Sequence, residues 1–447
     1  MEDKLKTVIN RGRYLKQIVP LIGNGRVKII TGIRRCGKSF LLKTLFTQYL
    51  KNQGINSDHI VYLALDDIAN NKFLNPLELD SYIRALIKDD STYYVMLDEI
   101  QRVFSIVNPI FTQGKIKLAK KSDDNYISFV NVVLGLIQIS NVDLYISGSN
   151  SKFLSRDIMT EFRDRGDEIH MQPLSFREYV DALHPSNISA AFNEYMLHGG
   201  MPLVLSYETP EQKEEYLKNL FTMTYHKDVE ERNKIRNESN LETLTALMAS
   251  NVGSLTNPAK IANTFNSELK INISKDTITQ YLGYLEDAFI LRKVNRFDIK
   301  GRKHIGATYK YYFADSGLRN ARLDFLHRDD GHVMENIIYN ELIFRGYFVQ
   351  VGVVECYGKD SKGITQRTTL ETDFVASKGS QIYYIQSVYS IDTPEKEYQE
   401  TRSLKKINDS FKKIVIIRES GPIRRDLDGI VYMGIEDFLL NENSLEL

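Results

Sequence analysis

Apolar residues along this chain fall into short continuous runs separated by stretches with helical spacing. The runs at 27–31 (VKIIT), 59–67 (HIVYLALDD), 93–101 (YYVMLDEIQ) and 141–150 (NVDLYISGSN) are apolar over most of their length and end in glycine, acids or serine. Buried strands of a parallel sheet read this way. Between them, 77–88 and 129–139 suit helices. So do residues 4–24, where Leu5, Val8, Ile9, Leu15, Ile18 and Val19 form a face closed by Pro20, Gly23 and Gly25. Alternating strand and helix predicts an α/β core with a parallel sheet over residues 1–180. Residues 104–128 break this rhythm as a polar excursion bearing Lys115, Lys117, Lys120 and Lys121 beside Asp123 and Asp124.

The pattern then changes. Residues 188–255 are helical in spacing, interrupted by Gly199-Gly200-Met201-Pro202, which stop one helix and start another. Short helices opening at Asn257 and Ser274, followed by a basic ribbon over 290–313, suggest a helix-turn-helix with a wing. Residues 181–310 are therefore expected to form a helical lid and a winged-helix-like domain. From 311 to 447 the order is a helix (333–345), strands at 347–357, 370–376 and 381–391, a helix (395–407) and a strand (412–418). This predicts a second α/β domain, so the chain holds about three domains, as its length also suggests.

Composition narrows the classes. Fifty-eight basic residues balance fifty-eight acidic ones, so no global field points to nucleic acid or an anionic membrane. Two cysteines, Cys36 and Cys356, make no disulfide framework. The charged N-terminal segment does not read as a signal peptide, and no apolar run approaches the roughly twenty residues of a membrane helix. A soluble, cytoplasmic protein with no membrane partner is expected.

The chemistry concentrates after the first strand. Gly32-Ile33-Arg34-Arg35-Cys36-Gly37-Lys38-Ser39 is G-x-x-x-x-G-K-S, placed between a strand and a helix, and with Phe40 it is the candidate nucleotide-binding stretch. Glycines let backbone N–H groups curl around phosphate oxygens at a helix N-terminus. Lys38 can reach terminal phosphates, and the Ser39 hydroxyl can ligate Mg²⁺. The acids closing the 93–98 run supply the rest: Asp98 to hold Mg²⁺, directly or through water, and Glu99 to polarise the attacking water. Taken alone, those acids are equally an acidic turn after a core strand. Ser149 and Asn150 could hold the lytic water or γ-phosphate, or simply make a turn. Arg156, Arg163 and Arg165 follow, each either a surface arginine or one that stabilises charge on a neighbouring subunit's nucleotide.

The order GIRRCGKS, YYVMLDEIQ, LYISGSN and an arginine segment leading to MQPLSFREYV resembles an AAA+-type P-loop ATPase. More narrowly, the chain resembles the prokaryotic ATP-binding proteins that join such a module to a C-terminal domain of unknown function, number 4143. Further matching segments are HGGMPLVL (198–205), 281–301, KYYFADSGLRNA (310–321), 335–352 and ETDFVA (371–376). The resemblance implies binding and hydrolysis of ATP with Mg²⁺. It also implies Arg165 as the arginine acting in trans, hence a homo-oligomer, and a helical region lying over the nucleotide.

Two further surfaces stand out. Lys275, Thr277, Thr279 and Gln280 on the second helix, with Arg292, Lys293, Arg296, Lys300, Arg302 and Lys303 on the ribbon, could contact DNA phosphates or serve a protein partner. The last domain has the layout of a restriction-endonuclease-like core, with Glu335, Glu371 and Asp373 as acids. Its next strand should read Glu or Gln, any residue, Lys; it reads Gln386-Ser387-Val388. Without that lysine and a further acid, a degenerate core is expected and Mg²⁺-dependent nuclease activity is disfavoured. The readings that remain are an ATPase and a nucleotide-gated switch acting on DNA or protein.

Overall fold

The computed structural model describes residues 9–120, 122–149, 165–226, 229–230, 233–235, 237–327, 329–359 and 365–447. Contacts divide the chain into two compact units, 9–172 and 173–447.

The first unit is built on a five-stranded sheet. Its strands are β1 (Val27–Thr31), β2 (Ile60–Ala64), β3 (Tyr93–Asp98), β4 (Val142–Ser147) and β5 (Gly166–His170), in the order β2-β3-β4-β1-β5. Every pairing is parallel. The apolar runs form strands because both sheet faces are covered, so every residue of β1, β3 and β4 is buried. Val27, Ile29, Val95, Leu97, Leu144 and Ile146 share one core with Leu79 and Ile83 of helix Pro76–Leu86 and Val133 of helix Phe129–Leu136. Within the run the polar Lys28 is fully buried and paired with Asp143 of β4, whose carboxylate also accepts from the Tyr145 hydroxyl at 2.6 Å.

Two local features differ from expectation. The helix expected over 4–24 is an α-helix only over Gly12–Ile18, with one 3₁₀ turn at Val19–Leu21 where Pro20 enters. Residues 1–8 lie outside the described residues. The 104–128 excursion forms a two-residue strand pair, Ile106–Val107 with Tyr126–Ile127, and a 3₁₀ turn at Pro109–Phe111, and leaves Ile110, Phe111, Ile116 and Leu118 exposed.

The second unit holds helices followed by an eight-stranded sheet. Its strands are β6 (Leu291–Asp298), β7 (Lys303–Phe313), β8 (Phe348–Lys359), β9 (Thr365–Lys378), β10 (Gln381–Val388), β11 (Lys412–Ile417), β12 (Arg424–Arg425) and β13 (Val431–Gly434). The order is β12-β13-β11-β10-β9-β8-β6-β7. Helices Pro258–Ser267 and Lys275–Asp287 form where the spacing placed them. Ser274 caps the second through the Thr277 amide, and Ile278, Tyr281, Leu282 and Leu285 are buried. The ribbon expected as a wing is the β6–β7 hairpin. Its β6 strand pairs in parallel with β8 through Arg296, Phe297 and Asp298, so the hairpin continues the C-terminal sheet. A boundary at 310/311 therefore falls inside a strand of that sheet.

Segments 198–205 and 310–321 meet in this unit. Asp315 caps helix Ser316–Arg322 through the Leu318 amide at 3.0 Å and accepts from the Gly200 amide at 2.6 Å. Gly317 lies so close that an added Cβ would stand 2.1 Å from the His198 carbonyl oxygen, so only glycine fits there. Burial pushes the Asp315 carboxyl up to about 6, against the lowering effect of the Gly200, Leu318 and Gly317 amides. Below its ordinary pKa near 4 the carboxyl is protonated whether folded or not. As pH rises from about 4 to about 6 the folded state keeps a proton that the unfolded chain releases, so stability falls by about 3 kcal/mol across that window and then levels. Asp315→Asn should remove this slope. Urea unfolding of the second unit at pH 4 and pH 7 should show the variant gaining about 3 kcal/mol on wild type between the two. A constant difference at both pH values would contradict it.

Candidate functional site

Because the sheet is parallel, the loops after β1, β3 and β4 leave from one edge, where α/β folds bind ligands. The register sets their level: Ile30 pairs with Ser147, and Leu97 pairs with Ile146, so Asp98 follows beside Ser147. β4 lies between β1 and β3, so Asp98 is roughly 10 Å, two strand spacings, from the end of β1.

The loop after β1 needs its glycines. Gly32 has φ 138°, and a Cβ there would stand 2.0 Å from the Met171 carbonyl oxygen. Gly37 has φ 106° and precedes the helical run that starts at Lys38. That run continues through a π-turn at Leu41–Phe46 to Asn52, burying Leu41, Leu42, Phe46 and Leu50. Phe40 is its third residue. The Lys38 ammonium donates to the Gly32 and Ile33 carbonyls at 2.9 and 3.1 Å. Cys36 is buried, and its thiol donates to the Met171 carbonyl at 3.4 Å.

Arg11 carries no mark in the sequence. Its guanidinium, 2% exposed, donates to the Cys36 carbonyl at 3.0 Å and the Gln172 carbonyl at 2.7 Å, tying the loop to the chain after β5. Tyr14, one turn on, accepts from the Gln172 amide at 3.0 Å. No local signal singles out an arginine for partners 25 and 161 residues away.

The acids sit as expected at the end of β3. Asp98 is 1% exposed, and it accepts from the Ser147 hydroxyl on one oxygen and from the Tyr62 hydroxyl at 2.7 Å on the other. Glu99 has φ 53°, the left-handed region, so the chain turns sharply as it leaves the strand. The Glu99 amide donates to Ser147 Oγ at 3.1 Å. Ser147 therefore bridges both acids, although the strand-end pattern points past it to Ser149 and Asn150. Ser149 donates to Glu99 Oε2 at 3.4 Å, and the Gln101 amide donates to the same oxygen. Asn150, Arg156 and Arg163 lie outside the described residues.

Arg165 stands elsewhere. It is exposed, and its carbonyl accepts from the Val27 amide at 2.9 Å, at the amino ends of β1 and β5. Five residues of β1 separate that end from the Gly32–Ser39 loop, roughly 16 Å. Arg165 does not serve the loop of its own chain.

The donor set suits Mg²⁺–nucleotide. Asp98 and the Ser39 hydroxyl offer the hard oxygens that Mg²⁺ prefers. Lys38 and the loop amides are a cation and donors for phosphate.

A model of the AAA domain matches residues 24–180, the stretch that holds this loop and these acids, so the first unit is built on a P-loop AAA+ core. A second model, described as a domain of unknown function (DUF8612), matches residues 189–329, whereas the sequence motifs pointed to domain 4143 at the C-terminus. An uncharacterized protein of Haemophilus influenzae is 32% identical over 441 residues, covering 97% of this chain and 99% of its own, and the chain belongs to the same family. Uncharacterized protein MJ1544 of Methanocaldococcus jannaschii is 26% identical over 409 residues, covering 88% and 80%. Among solved structures, the Aeropyrum pernix ORC2 protein in ADPNP-ADP complexes has 12% identity and a TM-score of 0.37, covering 74% of this chain and 92% of that one. The Aeropyrum pernix ORC1 protein in complex with DNA has 12% identity and a TM-score of 0.31, covering 71% and 93%. Likenesses this distant say nothing about function. Among the described residues no helix is long and apolar enough to cross a membrane.

Proposed function

We propose that this protein is an ATPase that hydrolyses ATP to ADP and phosphate with Mg²⁺, and that turnover drives conformational change in residues 173–447. The observation that carries this reading is the convergence of Lys38, Asp98 and Glu99 at one sheet edge, with Ser147 bonded to both acids. Backbone amides of Gly32 to Phe40 cradle the phosphates, and Lys38 exchanges its two carbonyl partners for phosphate oxygens. Ser39 and Asp98 hold the cation, which when bound neutralises charge on the phosphate oxygens. Glu99 orients the attacking water and takes its proton. Asn150 contacts the γ-phosphate or that water. Arg165, remote from its own loop, stabilises charge at a neighbouring subunit's nucleotide, so the active form is a homo-oligomer.

One observation favours a second reading, a nucleotide-gated switch with little turnover. Gln101 and Ser149 both bond Glu99 Oε2, which holds the carboxylate until a partner releases it. DNA is a candidate partner. Lys275, Thr279 and Gln280 are exposed on helix Lys275–Asp287, as are Lys293, Lys300, Arg302 and Lys303 on the hairpin. A protein bound to the same surface or to the C-terminal sheet is the other candidate. We expect ATP turnover by the purified chain, and a larger mass with a non-hydrolysable nucleotide. ATP binding that changes affinity for DNA while turnover stays negligible supports the switch; no ATP binding at all would end both readings.

A further inference from the structure

In the second unit, carboxylates converge on one buried ammonium. Glu371 and Asp373 stand two apart on β9 and so face one side, as do Lys310 and Tyr312 on β7; Glu335 comes from helix Asp330–Phe344. The Lys310 ammonium lies 2.8 Å from Glu335 Oε1, 2.8 Å from Glu371 Oε1 and 3.3 Å from Asp373 Oδ1. The Tyr312 hydroxyl donates to the same Glu335 oxygen, and the second Asp373 oxygen accepts from the Ser387 amide at 2.9 Å. Lys310 is 3% exposed. The lysine counted as missing at Val388 is thus replaced in space by one from a different strand, but it sits among the acids themselves.

That position decides the chemistry. A restriction-endonuclease-like core gathers a divalent cation between its acids and keeps a lysine for the water. An ammonium offers three donors, and here three carboxylates surround it, Glu335 and Asp373 accepting hydrogen bonds and Glu371 pairing at 2.8 Å. Mg²⁺ needs such oxygens at about 2.0–2.1 Å, in the volume the ammonium fills. Among the described residues no group of three or more His, Cys, Asp and Glu is arranged to hold a metal ion. The residues present do not fit the cation that such a core implies.

We propose that the Lys310 ammonium stands permanently in the place of a divalent cation, making the second unit a metal-independent relative of an acid-cluster core that does no metal-assisted hydrolysis. Burial pushes the Glu335 carboxyl up, against the lowering pull of the Lys310 ammonium beside it.

The test counts Mn²⁺ bound to the nucleotide-free full chain by electron paramagnetic resonance. Wild type and Asp373→Asn should bind equal numbers. Lys310→Met should gain one Mn²⁺ per chain, and the double variant Lys310→Met with Asp373→Asn should lose it again. If wild type holds a Mn²⁺ that Asp373→Asn abolishes, the ammonium accompanies a metal and the proposal fails. It also fails if folded Lys310→Met gains none. Should Lys310→Met not fold, the comparison of wild type with Asp373→Asn decides alone.

Discussion

Glu99→Gln is expected to lower ATP turnover by about 10²–10³-fold while leaving ATP affinity within a few-fold of wild type. The substitution keeps size and planarity but removes the base that accepts the proton of the attacking water. The local geometry supports a clean reading. Glu99 leaves β3 with φ 53°, its amide is held by Ser147 Oγ, and its Oε2 accepts from Gln101. A glutamine carbonyl can still accept that last bond, so the side chain should keep its place. Steady-state phosphate release beside nucleotide titration separates chemistry from binding. Turnover equal to wild type would remove Glu99 from the mechanism.

Lys38→Ala should weaken ATP binding by about 10²-fold, about 3 kcal/mol, the scale of losing charge-assisted hydrogen bonds to phosphate. The lysine is buried to 4% exposure, and its ammonium bridges the Gly32 and Ile33 carbonyls. Its loss therefore removes a phosphate partner and also loosens the loop that presents the amides. Calorimetric titration with a non-hydrolysable ATP analogue measures it directly. Unchanged affinity would mean that the nucleotide binds elsewhere, and the site at Gly32–Phe40 would be abandoned.

The two proposals in this molecule are separable because they concern different units. The first places chemistry at the edge of the five-stranded sheet. The second removes metal chemistry from the eight-stranded one, where Lys310 reaches Glu335, 25 residues on, and Asp373, 63 residues on. Failure of either leaves the other standing.

What the sequence determined by itself was local. Continuous apolar runs at 27–31, 93–98 and 142–147 became strands, because side chains of a doubly covered strand must be apolar on both faces. The loop Gly32–Ser39 was legible because its glycines act through backbone and Lys38 and Ser39 through side chains, all within eight residues. Asp98 and Glu99 were legible because they end such a run. Tertiary structure alone decided what those residues touch. Arg11 reaches Gln172, Ser147 bridges Asp98 and Glu99, Asp315 holds the Gly200 amide, and the β6–β7 hairpin joins the C-terminal sheet. Strand order also put Arg165 at the edge away from its own loop, and Lys310 among three acids that the sequence scatters over 335–373. The reason is physical. Side-chain periodicity is set by bonds two to four residues apart, whereas strand order and the pairing of buried charges follow from packing the whole sheet.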